Sequence, residues 1–203
     1  MSLLSGHEEK ITDLAPAGFY IALRVGFSFP SEELNRLPET WIEFYTRSGF
    51  VVDDPMMKWV YANEGTTRWS DIDAPDPRNV LGAAVEYGLC FGVLVSFVEE
   101  GGSGKRSYGN FTRSDRQFTD EEVQSLHDLV RQMHVASGQQ LALTAAEIQA
   151  LSLQSQGLRL KQIAAELDIS ISAVKARLTN AKRKLGAQTP SQAASIAKSR
   201  GIL

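Results

Sequence analysis

At 203 residues, with 43% hydrophobic and 22% charged side chains, the chain has the make-up of an ordinary soluble protein of one large or two modest domains, not that of a disordered tail or a fibrous repeat. Its single cysteine, Cys90, excludes an internal disulfide, and no run of about 18 apolar residues is present to span a membrane. The net charge of −3 hides an asymmetry: from Leu141 onward nine Lys/Arg stand against three acids, a local +6, so the preceding part carries −9 and only the tail suits a polyanion.

The first residues, Met1 to Lys10, are polar and lack the apolar core of a signal peptide, which with the lone thiol makes a reducing, cytoplasmic setting the expectation. Phe19–Phe27 reads as a strand, and helical patterns follow over Pro38–Arg47, Pro55–Ala62 and Asp76–Tyr87. Cys90 lies in the apolar run Leu89-Cys90-Phe91 and reads as packing. Phe91–Val98 is a second strand, Gly101-Gly102-Ser103-Gly104 a hairpin loop, and Tyr108–Thr112 the return strand. Thr119 to Glu122 forms a capping box for a long helix with Val123, Leu126, Val130 and Met133 on one side. This order predicts an α+β domain, an antiparallel sheet sandwiched by helices (α-β-α), over residues 1–135.

Small and polar residues near Ala136–Gln140 mark a linker, taken as 136–142, before an all-α tail of four short helices over 143–203. Thr144 and Glu147 make a capping box, Ile148 and Leu151 line the inner face of the first helix, and Gly157 stops it. Leu160, Ile163, Ala164 and Leu167 form the stripe of the second. After the turn Asp168-Ile169-Ser170, Ser170 caps a third helix with Val174, Leu178, Ala181 and Leu185 inside. Thr189-Pro190-Ser191-Gln192 opens the fourth, with Ala193, Ala194, Ile196 and Ala197 as its apolar face and Gly201 at its end.

Two helices joined by a short turn are the helix-turn-helix arrangement, whose second helix enters the major groove of DNA. The outward face of the third helix is cationic. Ser172, Lys175, Ala176 and Asn180, early in that helix, are the candidate base readers, since Asn pairs bidentately with adenine. Arg177 suits either bases or phosphates, and Lys182, Arg183 and Lys184, with Lys161 from the second helix, suit phosphates. Neutralising about five phosphates makes affinity fall steeply with salt. The bland alternative is a solvated basic face on a helical bundle.

Leu143-Thr-Ala-Ala-Glu147, Leu151, Gly157, Lys161-Gln-Ile-Ala-Ala-Glu-Leu-Asp-Ile-Ser170, Val174-Lys175, Lys184-Leu185-Gly186 and Gln192-Ala193 resemble the LuxR/GerE-type helix-turn-helix over nearly all of residues 143–203. Ala173 and Arg177 depart from the Thr and His that the family often carries there, which bears on the operator read. Upstream, Trp41-Ile-Glu-Phe-Tyr45, Asp54-Pro55, Trp69 and Gly92 are similar to the autoinducer-binding domain of LuxR-type quorum-sensing regulators over roughly residues 15–135. The resemblance implies an acyl-homoserine lactone or similar amphiphile as ligand. Trp41 donates to the lactone carbonyl, Tyr45 packs the start of the acyl chain and offers its hydroxyl, Asp54 accepts from the ligand amide, and Trp69 walls the ring. Leu37 stands where the family often has a Tyr that reaches the acyl carbonyl. The resemblance also implies a dimer through the helix near Val123–Met133 and the last helix, on a palindromic site. A homodimer is the first expectation and a heterodimer with a related regulator the second. No cofactor is implied. The alternative within the same architecture is a ligand-independent regulator with a vestigial pocket.

An enzyme is disfavoured. No Walker or dinucleotide glycine pattern occurs, and no helix follows the Gly101–Gly104 run. His127 and His134 are a heptad apart rather than at the i, i+4 spacing of a metal pair, so solvent or interface roles are expected and no metal site. Asp53 and Asp54 lie between helical segments, not at the end of a strand as a phosphate-accepting Asp requires.

Overall fold

The computed structural model describes residues 4–26, 29–99, 104–199 and 201–203. The chain divides into two compact units, Met1–Ser137 and Gly138–Leu203.

The first unit is a five-stranded antiparallel sheet of order β2-β1-β5-β4-β3, built from β1 (Gly18–Val25), β2 (Glu32–Asn35), β3 (Gly65–Arg68), β4 (Phe91–Val98) and β5 (Arg106–Arg113). Period-two alternation gives the sheet two apolar faces. Phe19, Ile21 and Leu23 of β1, Val93 and Val95 of β4 and Phe111 of β5 pack against Ile11 of α1 (Glu8–Leu14) and against Leu126, Val130 and Met133 of α5 (Asp120–Leu141). The opposite face, with Ala22, Leu94 and Tyr108, meets α2 (Glu39–Ser48), α3 (Pro55–Ala62) and α4 (Val80–Val85). This is the expected α-β-α layering.

The four-residue edge strands β2 and β3 and the short α1 are not among the elements that the sequence predicts. EELN and GTTR carry no apolar alternation, as suits short polar edges that discourage further pairing. The helix expected over Asp76–Tyr87 is reduced to α4. Asn79 takes the left-handed conformation, φ 53°, which blocks an earlier start, and the Asp76 carboxylate accepts from the amides of Val80 and Leu81. The Thr119/Glu122 box opens α5 as expected, with both reciprocal bonds present. α5 then continues through residues 136–141, so much of the stretch read as linker is helical. Residues 101–103 of the hairpin loop lie outside the described residues, as does the Phe27 end of the first expected strand. His127 and His134 both pack on the ring of Phe97, and His134 Nδ1 lies 2.7 Å from Ser107 Oγ, so they serve packing within the unit. Among the described residues no cluster of His, Cys, Asp or Glu is arranged for a metal, and no helix is long and apolar enough to cross a membrane.

The second unit holds α6 (Ala145–Ser155), α7 (Leu160–Glu166), α8 (Ile171–Leu185) and α9 (Pro190–Ser199). Val174, Leu178, Ala181 and Leu185 of α8 are all buried, against Leu151, Ile163 and the small residues Ala193, Ala194 and Ala197. Ile148, expected on the inner face of α6, is only half-buried and outside this core, where Ala150 takes its place.

Candidate ligand cavity and nucleic-acid interface

In the first unit a cavity of about 270 Å³ lies between the sheet and helices α2 and α3. Leu37, Trp41, Tyr45, Asp54 and Trp69 all line it. One helical turn places Trp41 and Tyr45 on the same side of α2, with ring centroids 5.6 Å apart. Asp54 is the N-cap of α3, ahead of Pro55 at the first helical position, where fixed φ and no amide suit the helix start. Its Oδ1 accepts from the Met56 amide at 2.7 Å and its Oδ2 from the Tyr45 hydroxyl at 2.6 Å. Burial pushes the Asp54 carboxyl above its ordinary value, against hydrogen bonds from Tyr45 and from the Met56 and Met57 amides that favour the charged form. Tyr45 is likewise pushed up, first by burial and then by the Asp54 charge, so its proton stays on and points at Asp54. The Tyr45 hydroxyl thus presents only lone pairs elsewhere.

Gly92 does not line this cavity. A Cβ there would fall inside the indole of Trp69, so its part is to let that ring lie flat on β4. The reverse of Trp69, with Gly92 and Cys90, borders a second cavity of about 360 Å³. Trp69 Nε1 donates to Asn110 Oδ1 at 3.1 Å. An indole nitrogen only donates, so this bond fixes the Asn110 amide and leaves Nδ2, 3.9 Å from Met56 Sδ, as the donor turned toward the cavity.

Tyr20, Asn35, Tyr108 and Asn110 also line the cavity and are absent from the sequence-derived set. The alternation within β5, where Tyr108 and Asn110 fall opposite the core residue Phe111, is the signal that finds them. Tyr20 donates to Glu33 Oε2 at 2.7 Å, and burial first of all raises it. Burial, followed by the nearby Tyr61, pushes Tyr108 up to about 12.

In the second unit Ser170 caps α8 by accepting from the Ala173 amide at 3.2 Å. Asp168 takes a left-handed φ of 50° in the turn that joins α7 to α8. Ser172, Lys175, Ala176, Asn180 and Arg183 are exposed on α8 and Lys161 on α7, while Arg177 and Lys182 are half-buried at the flanks. Thr179, which the sequence reading passes over, is exposed on the same outer stripe, since 172, 176, 179 and 183 follow helical spacing. The Ser172 hydroxyl lies 2.8 Å from that of Ser170.

Lys184 departs from its expected part as a phosphate contact. Its ammonium donates to Glu147 Oε2 at 2.8 Å and to the Ala142 carbonyl at 3.0 Å. The same Glu147 oxygen accepts from the Thr144 amide at 2.8 Å, which completes the α6 capping box. Burial alone raises the Glu147 carboxyl, but Lys184 and the Thr144 amide outweigh it and hold the group below its ordinary value. A cation in such a pair is tied into the fold. The charge count could not distinguish it from Arg183 one residue earlier.

Residues 28–137 match the family model of the autoinducer binding domain, and residues 141–197 that of the bacterial regulatory proteins of the luxR family. The transcriptional activator VanR of Vibrio anguillarum is 29% identical over 171 residues, covering 77% of this chain and 70% of that protein. RaiR of Rhizobium etli, also a transcriptional activator, is 30% identical over 172 residues, covering 76% and 70%. The crystal structure of Escherichia coli SdiA superposes with a TM-score of 0.55 at 22% identity, covering 98% of this chain and 90% of that one. SdiA in complex with octanoyl-rac-glycerol gives 0.53 at 20% identity, covering 98% and 87%. The paired domains and these relatives establish that the chain belongs to the LuxR family: it is a DNA-binding transcription regulator of the quorum-sensing type, with an autoinducer-binding domain ahead of its helix-turn-helix.

Proposed function

We propose that an acylated amphiphile, an N-acyl homoserine lactone or a close analogue, occupies the 270 Å³ cavity and governs DNA binding by the tail. The observation that carries this reading is the convergence of Trp41, Tyr45, Asp54 and Trp69, four residues spread over 29 positions of sequence, on one cavity that joins apolar walls to polar side chains. The Trp41 indole N–H donates to the ligand head, Asp54 accepts from its amide with the lone pairs that Tyr45 and Met56 leave, and Trp69 walls the ring. Asn110 Nδ2 takes the acyl carbonyl and so supplies the donor that Leu37 lacks. The relative SdiA takes octanoyl-rac-glycerol, which supports an acyl chain with a polar head as the ligand class. The exposed face of α8, with Ser172, Lys175, Ala176, Thr179 and Asn180 toward bases and Lys161, Arg177, Lys182 and Arg183 toward phosphates, reads the major groove, and two copies bind a palindrome. The protein acts as a regulator and catalyses no reaction.

A melting-temperature scan with lactones of varied acyl length tests the ligand. A bound ligand at 100 times its dissociation constant stabilises by about 2.7 kcal/mol. No shift with any acyl amphiphile, at good DNA affinity, overturns this reading. One observation favours the second reading, a regulator that works without ligand, alone or paired with a related chain: Asp54, Tyr45, Trp69 and Tyr20 already have hydrogen-bond partners within the protein. In that case the empty-pocket protein binds DNA at full strength.

A further inference from the structure

The cavity has a second set of polar groups, on the strands toward the β2 edge, that the family resemblance does not assign. Asn110 on β5, Tyr20 on β1 and Asn35 on β2 are in register across the sheet, so they stand side by side. Two strand spacings separate Asn110 from Asn35, about 10 Å. All three line the cavity. Trp69 and Asn110 therefore mark the inner end, and Tyr20 with Asn35 the end at the β2 edge, where Asn35 and Glu33 are exposed.

The hydrogen bonding at this outer end is directional. Tyr20 gives its only proton to Glu33 Oε2 at 2.7 Å and meets the Tyr108 hydroxyl, which can only donate to it, so toward the cavity its oxygen acts as an acceptor through the lone pair that remains. Asn35 Oδ1 accepts from the Leu37 amide at 3.0 Å, which leaves its NH₂ as a donor at the same rim. An acceptor on β1 and a donor on the next strand are complementary to one group that can do both, a hydroxyl. A bare methyl end satisfies neither, and an ether or ketone oxygen satisfies only Asn35.

We propose that the outer end of the cavity, Tyr20 held by Glu33 together with Asn35, selects a ligand whose acyl part carries a hydroxyl, aliphatic or phenolic, about 10 Å from its amide end. This rests on the ligand reading above and goes further by naming the chemistry of the tail. The hydroxyl donates to Tyr20 and accepts from Asn35. Glu33 acts as a positioning residue, because its carboxylate turns the Tyr20 proton away from the ligand.

Three homoserine lactones of equal acyl length test it on the full-length protein: one with a terminal hydroxyl, its methyl ether, and the plain alkyl chain. Dissociation constants come from calorimetry or tryptophan quenching. The expected result is that the hydroxyl compound binds about tenfold more tightly than either of the others, the scale of one or two good hydrogen bonds. In Tyr20→Phe the advantage over the ether falls toward one. Glu33→Ala, which leaves Tyr20 no acceptor at that position and frees its proton to turn toward the cavity, narrows the advantage over the ether. Equal affinity for the three, or a preference for ether or alkyl, overturns the proposal and leaves the lactone reading standing. Binding of none of the three overturns the lactone reading and this inference with it.

Discussion

Lys184→Met separates two roles for one cation. In the structure the Lys184 ammonium and Glu147 carboxylate are 11% and 7% exposed and 2.8 Å apart, and the ammonium also holds the Ala142 carbonyl. Removing it strands a buried carboxylate, for which the usual cost is about 3–5 kcal/mol. Glu147 keeps the Thr144 amide, so the lower end, about 3 kcal/mol, is expected. That is a large share of the roughly 5–15 kcal/mol that holds a typical domain together. Urea unfolding of the full chain, followed by circular dichroism, reads the loss. DNA retention on a random duplex over a salt series reads the other role. A side chain on a phosphate contributes a slope of about −0.9 in log affinity against log salt. Lys184→Met should destabilise and leave that slope unchanged. Arg183→Met, at the exposed neighbour, should leave stability alone and make the slope shallower by about 0.9. Adding Glu147→Gln to Lys184→Met should restore much of the stability, since Gln still accepts from the Thr144 amide. If Lys184→Met instead unfolds at the wild-type urea concentration and its salt slope drops as that of Arg183→Met does, Lys184 is a phosphate contact and not a structural cation.

Other consequences concern the first unit. Gly92→Ala puts a methyl where the Trp69 indole lies, and the overpacking should cost about 1–3 kcal/mol, seen as a lower melting temperature with shifted tryptophan emission. Asn110→Leu orphans the Trp69 indole N–H and should cost about 1–3 kcal/mol while also weakening lactone affinity, whereas Asn110→Gln should be milder. Arg116, bonded to both Glu122 oxygens at 2.8 Å, holds that carboxyl down to about 2. A depressed carboxyl stabilises the fold above its unfolded value of 4.5, and the contribution is lost as pH falls toward 2. Glu122→Gln should therefore lower stability at pH 7 yet flatten the decline on acidification, measured by urea unfolding across pH.

What was legible in the sequence follows from where the signal is local. The helices of the tail announce themselves through caps and apolar stripes, and all four inner residues expected of α8 are buried. β4 is legible to the residue because it is an apolar run broken only by Ser96. β2 and β3 are not, because a polar edge strand owes its form to its neighbour rather than to its own pattern. The head of the cavity was readable as a resemblance in Trp41, Tyr45, Asp54 and Trp69. Its floor was not, because Tyr20, Asn35 and Asn110 come together only through strand register across positions far apart in the chain. Gly92 was recognised by context, and only the geometry shows that it serves Trp69 rather than the ligand. A charge count treats every cation alike, so the pairing of Lys184 with Glu147 is visible only in the structure.

Occupancy of the first unit's cavity is expected to change how the tail holds DNA. This is tested most directly by measuring affinity for a duplex selected from a random pool, at fixed salt, with the cavity empty and saturated by an acyl-homoserine lactone. A change of roughly 5- to 150-fold is expected, with the DNA shifting lactone affinity by the same factor. Identical DNA affinity in the two states, with the lactone demonstrably bound, contradicts it.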